Sequence, residues 1–187
     1  TVGKLANLSL QYRTSANKLC SVARVQYGLD MDQIQAKIIH STYLQTYYKV
    51  PQYWQQAIYR AKCNGFAETF AGRRVQLNGS WSGREKWGME STALNYPIQG
   101  TGADQKYLAL AVLRNDLAQW GAHFYFELHD GLFVIVRNDS AFSFAVHTKK
   151  LLSTLPYKAA WGIDLPIHFP VDAKMGQTWG DLKELEE

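Results

Sequence analysis

An imidazole and a carboxylate stand side by side in 127-ELHDGLFVIV-136, between two apolar runs and directly before a glycine. Buried strands rarely carry two adjacent ionisable groups, because each must give up its hydration. A turn removes the conflict. Strands over about 122–128 and 132–137 put His129, Asp130 and Gly131 at the bend of a hairpin whose apolar flanks hold the backbone. An aspartate fixed at such a tip is a hard oxygen donor of the kind Mg²⁺ favours. The same residues also spell an Asp-Gly turn, a common hairpin signal with nothing bound. Gly131 is expected to supply a backbone geometry that other residues resist.

The elements that must position this tip follow from periodicity. Residues 1–12 repeat Leu5, Leu8 and Tyr12 at helical spacing and end at Arg13-Thr14. Ser15 caps a second helix that runs to about Tyr27 and stops at Gly28. Asp30 is expected to cap a third, from about Met31 to Tyr47, with Ile34, Ile38, Ile39 and Tyr43 as its stripe. Pro51 opens a fourth, closed by Asn64-Gly65. The period then changes to two: 66-FAETFAGRRVQL-77 reads as a small hairpin turning at Ala71-Gly72. An exposed loop, 78-NGSWSGREKWG-88, follows. Pro97 begins or kinks a long helix to about Trp120 with Leu110, Leu113, Leu117 and Trp120 as its seam. After the His-Asp hairpin, Ser140 caps a helix to about Leu155. A last strand is expected near 168-HFPVDAK-174, before an acidic tail. The result is an α+β organisation, helices followed by helices on a small antiparallel sheet. Two regions are expected, residues 1–89 and 90–187.

Composition narrows the function classes. Hydrophobic residues make up 47% and charged residues 19% of the 187, which fits a folded globular chain rather than a disordered one. No apolar run approaches the length of a membrane span, and the N-terminus lacks a signal-peptide pattern, so no membrane partner is expected. Cys20 and Cys63 are far apart with no metal-ligand spacing, and read as free thiols in a reducing compartment. Residues 1–89 carry twelve Lys or Arg against four Asp or Glu; residues 90–187 carry eight against twelve. A basic half rich in Tyr and Trp suits a polyanion such as nucleic acid, and is equally a solvated basic surface.

Several blocks together resemble one family. LHDGLFVIV is similar to the motif C hairpin of family A (bacterial polymerase I-type) DNA polymerases, usually V-H-D-E-hydrophobic. The segment 94-LNYPIQGTGADQKYLALAVL-113 resembles that family's N-x-P-x-Q-G-T-A-A-D run. Upstream, 64-NGFAETFAGRRVQL-77 resembles its G-Y-V-E-T-x-x-G-R-R hairpin, and 170-PVDAKMGQTWGDL-182 its closing strand and V-G-x-x-W segment. The opening 4-KLANLSLQYRTS-15 resembles motif B, usually K-x-x-N-F-G-x-x-Y-G. The blocks occur in the family's order and spacing across nearly the whole chain.

The resemblance implies an incomplete right-hand fold, with residues 1–89 as the C-terminal part of the fingers and 90–187 as that of the palm. It implies transfer of deoxynucleotides to a primer 3′ end with two Mg²⁺ ions. Asp130 would hold metal, sharing it with a motif A aspartate. Lys4 would bind the dNTP phosphates, Leu8 pack against its sugar and Tyr12 stack at the template base, all from one helix face. Asn95 and Gln99 would hydrogen-bond the primer–template minor groove, and His129 would contact the primer strand. Arg73 and Arg74 would contact backbone phosphates or pair with local acids. Motif A and the thumb would precede Thr1, so an N-terminal polymerase segment is an expected partner. The isolated chain is then expected to be inactive. A cytoplasmic setting, in a bacterium or a phage-infected cell, goes with this.

The match has departures. Gly131 stands where motif C has Glu, Leu8 where motif B has an aromatic, Ser9 where it has Gly, and Ser91 where an arginine often faces DNA. They suggest a phage or divergent enzyme. Three alternatives remain: a single-subunit RNA polymerase, a non-catalytic nucleic-acid-binding remnant, and a metal-dependent His-Asp phosphohydrolase. From the basic half, binding of the chain to double-stranded DNA should weaken at least about tenfold between 50 and 200 mM salt. A filter-binding titration giving equal affinity at both salts would contradict that expectation.

Overall fold

The computed structural model describes residues 2–165, 167 and 169–185. It is helix-rich with three two-stranded antiparallel sheets, the expected α+β class. Contacts divide it into two compact units, one of Thr1–Glu68 with Arg74–Ile98, the other of Thr69–Arg73 with Gln99–Glu187. Among the described residues no helix is long and apolar enough to cross a membrane.

The first unit begins with α1 (Val2–Leu10), α2 (Ala16–Tyr27) and α3 (Gln33–Thr46). Their core is Leu5, Leu10, Leu19, Cys20, Ala23, Met31 and Ala36. Helix α1 ends two residues earlier than its apolar spacing predicts. Tyr12 N–H donates to the Ser9 carbonyl and Arg13 N–H to that of Leu10, bonds that tighten the chain into a turn. Tyr12 therefore leaves the helical face that carries Lys4 and Leu8. Ser15 caps α2, accepting from the Lys18 N–H at 3.3 Å, and left-handed Gly28 closes it. The cap of α3 is Asp32, not Asp30. Asp32 Oδ1 accepts from Gln35 N–H at 2.7 Å and Gln35 Oε1 accepts from Asp32 N–H at 3.1 Å, a reciprocal pair that Asp30 cannot form. Ala36, Ile39 and Tyr43 face the core, whereas Ile34 and Ile38, expected in the stripe, are exposed.

The unit continues with α4 (Lys49–Asn64), closed by left-handed Gly65, and the strands β1 (Phe66–Glu68) and β2 (Arg74–Gln76). A second apolar cluster, Ala61, Ala67, Leu77, Met89 and Ala93, joins them to the start of α5 (Lys86–Leu117). Helix α5 starts eleven residues before Pro97, which lies inside it. The loop is correspondingly shorter than predicted.

In the second unit, α5 from Gln99 onward meets β3 (His123–Leu128), β4 (Gly131–Ile135) and α6 (Ala141–Ser153). The core is Ala109, Leu113, Ala122, Phe144, Leu152 and Leu155, with Leu132, Val134 and Val136 of the hairpin packed against it. A short α7 (Tyr157–Trp161) was not foreshadowed by any periodicity. The expected closing strand shrinks to β5 (Lys174–Met175), paired with β6 (Lys183–Glu184) in the acidic tail. His168, where that strand was expected to start, lies outside the described residues. Cys20 and Cys63 are free, the first buried and the second exposed.

Leu113 is 1% exposed at the centre of the second unit's core. Leu113→Ala should lower unfolding stability by about 2–5 kcal/mol. Urea denaturation showing a loss under about 1 kcal/mol would mean that this seam does not hold the unit together.

Candidate active site

Strands β3 and β4 run antiparallel, with Leu128 opposite Gly131, so His129 and Asp130 alone make the turn. Phe124 opposes Val134 and Phe126 opposes Phe133, leaving Tyr125 as an extra, bulged residue. A bulge bends and twists its strand, and so re-aims the tip. The left-handed residue is His129, with φ +53°, and not Gly131. Histidine reaches this region more readily than most residues, though still at a cost. Gly131 is needed for a different reason than expected. A Cβ there would come within 3.3 Å of both the Leu128 carbonyl oxygen and the Phe133 ring. The glycine makes room for the turn to close over an aromatic.

His129 and Asp130 are both exposed at this tip. Among the described residues nothing hydrogen-bonds or pairs with the Asp130 carboxylate, and no group of three or more His, Cys, Asp or Glu is placed to hold a metal ion. Asp130 is thus an exposed hard donor at the turn, with no partner among the described residues. One carboxylate fits part of a divalent-cation site and needs further ligands to complete it.

The turn is supported from both faces of the hairpin. On one, Leu132, Val134 and Val136 enter the core. On the other, Phe126 and Phe133 gather with Trp179 at ring-centroid separations of 4.5 to 4.8 Å. Lys106 of α5 reaches Glu127 of β3 at 3.0 Å with its side chain only 15% exposed. The two partners lie 21 residues apart on a helix and a strand, a spacing with no local signature in the sequence. Further along α5, Arg73 donates to Asp104 Oδ1 at 2.7 Å and to the Gly100 carbonyl at 3.0 Å, and Phe70 N–H donates to Thr101 Oγ1 at 3.0 Å. The hairpin tip of residues 69–73 is thereby fastened to the helical turn that follows Gln99. Gln99 itself is exposed.

The remaining predicted residues lie in the first unit. Lys4 and Leu8 are exposed one turn apart on α1, and Tyr12 is half-buried in the turn after it. That turn is anchored on both sides. Trp54 Nε1 donates to the Gln11 carbonyl at 2.8 Å, and Arg13 Nη1 meets Glu90 Oε2 at 2.9 Å. Neither Trp54, Arg13 nor Glu90 stood out in the sequence. The available signal was Arg13 itself, at the place where the motif B pattern ends in glycine. Tyr53 donates to the Leu94 carbonyl, and burial, followed by the neighbouring Tyr12 phenol, pushes its pKa up to about 12. Asn95 donates through Nδ2 to Ser91 Oγ at 3.2 Å, while its buried Oδ1 has no partner. Arg74 pairs with Glu68 at 2.7 Å and lies over the Phe66 ring. Arg74 thus bonds to a local acid, and Arg73 to one 31 residues away.

A family model described as DNA polymerase family A matches residues 1–181. DNA polymerase I of Pseudomonas aeruginosa is 31% identical over 182 residues, covering 95% of this chain and 18% of that protein. DNA polymerase I of Deinococcus radiodurans is 28% identical over 182 residues, covering 96% and 18%. The chain therefore spans about a fifth of the length of these curated relatives. Among solved structures, the POL domain of Pol1 from M. smegmatis, in complex with DNA primer-template and dNTP, superposes with a TM-score of 0.70 over 81% of this chain and 26% of that one. At 23% identity that likeness concerns the fold.

The tip's geometry separates two substitutions that a simple Asp-Gly turn would rank the other way. Gly131→Ala should cost about 1–3 kcal/mol through the crowding described, whereas His129→Gly should lie within about 1 kcal/mol of wild type, strain relief offsetting added chain freedom. Thermal unfolding that finds His129→Gly the more damaging would contradict this backbone.

Proposed function

Because the chain belongs to DNA polymerase family A, we propose that it is a piece of a DNA-directed DNA polymerase, carrying one metal-holding carboxylate and part of the nucleotide and primer–template contacts. The observation that carries this reading is Asp130: a carboxylate at a two-residue turn, exposed and unpaired among the described residues, on a hairpin fixed from both faces. On this reading residues 1–89 are the end of the fingers and 90–187 the end of the palm.

The reaction joins the primer 3′-oxygen to the α-phosphorus of a dNTP as the bond from that phosphorus to the pyrophosphate oxygen breaks; the hydroxyl proton leaves to solvent. Mg²⁺, when bound, would lower the energy of the attacking and departing oxygens. Asp130 would be one of its ligands, and the second aspartate, that of motif A, would come from a segment outside this chain. Lys4 would attract the triphosphate as a point charge and offset charge growing on the leaving group. Leu8 would pack against the sugar, more softly than a ring would. Tyr12 would present a flat face to the template base. His129, beside Asp130, would hydrogen-bond the primer strand.

Asn95 and Gln99 suit the minor groove, where every base pair offers acceptors at similar places. Asn95 has one side of its amide satisfied. To reach that edge, Nδ2 would have to leave the Ser91 hydroxyl for a base acceptor. Arg73 and Arg74 keep 47% and 56% of their side chains exposed, enough for a phosphate to share each guanidinium with its acid.

The test is primer extension by the full-length polymerase that contains this chain, beside the isolated chain, with Mg²⁺ and all four dNTPs. The full-length enzyme should extend and the isolated chain should not. Asp130→Asn in the full-length enzyme should reduce kcat at least about a thousandfold. Extension by the isolated chain would refute the need for a second segment, and full activity of the variant would remove Asp130 from the metal site. If neither form extends but both hold DNA, the chain is a binding remnant.

A further inference from the structure

Tyr12 occupies an unusual place in the first unit. Its hydroxyl makes no hydrogen bond with the described residues, and both of its neighbours in sequence are anchored. Gln11 is held through its carbonyl by the Trp54 indole at 2.8 Å. Arg13 is held through its guanidinium by Glu90 at 2.9 Å. Arg13 has φ +65°, a backbone conformation that crowds any residue with a Cβ and persists only where the surroundings enforce it. Glu90 can do the enforcing. Its side chain is 9% exposed and lies on the first turns of α5, with Lys86 at 3.9 Å from its other oxygen. A carboxylate so buried is costly without a partner, and Arg13 reaches it from the left-handed turn.

We infer that the Arg13–Glu90 pair is a positioning lock, which holds the chain in its left-handed turn directly after Tyr12 and so sets where that ring stands. Arg13 and Glu90 are positioning residues, and act through Tyr12. The functional half of this inference rests on the reading of Tyr12 as part of the nucleotide site; the structural half does not.

The experiment uses the full-length polymerase containing this chain, as wild type, Arg13→Ala, Arg13→Lys and Glu90→Gln, with two readouts. In single-nucleotide addition, Arg13→Ala and Glu90→Gln should raise KM for the dNTP about tenfold while kcat stays within about threefold, and Arg13→Lys should recover KM to within about threefold. A contact that merely stabilises would lower the active fraction and leave KM unchanged, and that result overturns the positioning role. The second readout is hydrogen exchange at the Trp54 indole N–H, which reports on the Gln11–Arg13 turn without any activity. Exchange should be at least about tenfold faster in Arg13→Ala and near wild type in Arg13→Lys. Unchanged exchange in Arg13→Ala overturns the lock itself. A wild-type enzyme that adds no nucleotide would fail the polymerase reading, and the indole measurement would still decide the lock. If Arg13→Ala does not fold, Glu90→Gln decides both readouts in the same sense.

Discussion

The hairpin tip depends most on apolar packing behind it, above all on one strand face. Leu132 and Val134 of β4, with Val136 just after it, enter the core formed by α5 and α6, and they are half-buried rather than sealed. Together they contribute on the order of 3 kcal/mol at the usual value for apolar burial. That exceeds the roughly 1–2 kcal/mol that a left-handed, side-chain-bearing residue costs, so the turn can keep His129 at φ +53°. The Lys106–Glu127 bridge adds little by comparison, since a partly exposed pair is worth about 1 kcal/mol or less; its use is directional, pinning β3 to α5 near the tip. The carboxylate that emerges is exposed and unpaired because the apolar faces behind it do the holding.

Backbone strain in this chain is not scattered. The described residues include two side-chain-bearing positions with positive φ, Arg13 and His129, and each adjoins a residue for which a role is proposed above, Tyr12 and Asp130. In both cases the chain turns sharply beside that residue, directly after Tyr12 and directly before Asp130, and in both the strain is held by tertiary contacts: an ion pair to a buried glutamate for Arg13, strand packing for His129. Glycine at either place would ease the backbone and loosen the aim.

Much of this was legible in the sequence, and for identifiable reasons. The caps Ser15, Gly28 and Gly65 work locally, so their types and positions predict them. The His-Asp turn was readable because strand alternation on both sides left only those residues for the bend. Failures arose where two local signals competed or where the deciding partner was distant. Asp30 and Asp32 both fit a cap, and only the reciprocal bond with Gln35 selects the second. Pro97 fits either a helix start or a helix interior, and only the structure places it inside α5. Gly131 was assigned to backbone freedom when its role is to make room for Phe133 and the Leu128 carbonyl. The Arg13–Glu90, Lys106–Glu127 and Arg73–Asp104 pairs span 77, 21 and 31 residues, and no periodicity announces such pairs.

The central claim is that this fold presents Asp130 as a ligand to a divalent cation at a primer end. Its most direct measurement is anomalous diffraction at the manganese edge from the full-length polymerase with primer–template and a non-hydrolysable dNTP. The account predicts a Mn²⁺ peak within about 2.3 Å of an Asp130 carboxylate oxygen, shared with a carboxylate from outside this chain. A fully ligated Mn²⁺ peak with Asp130 more than about 5 Å away would contradict it.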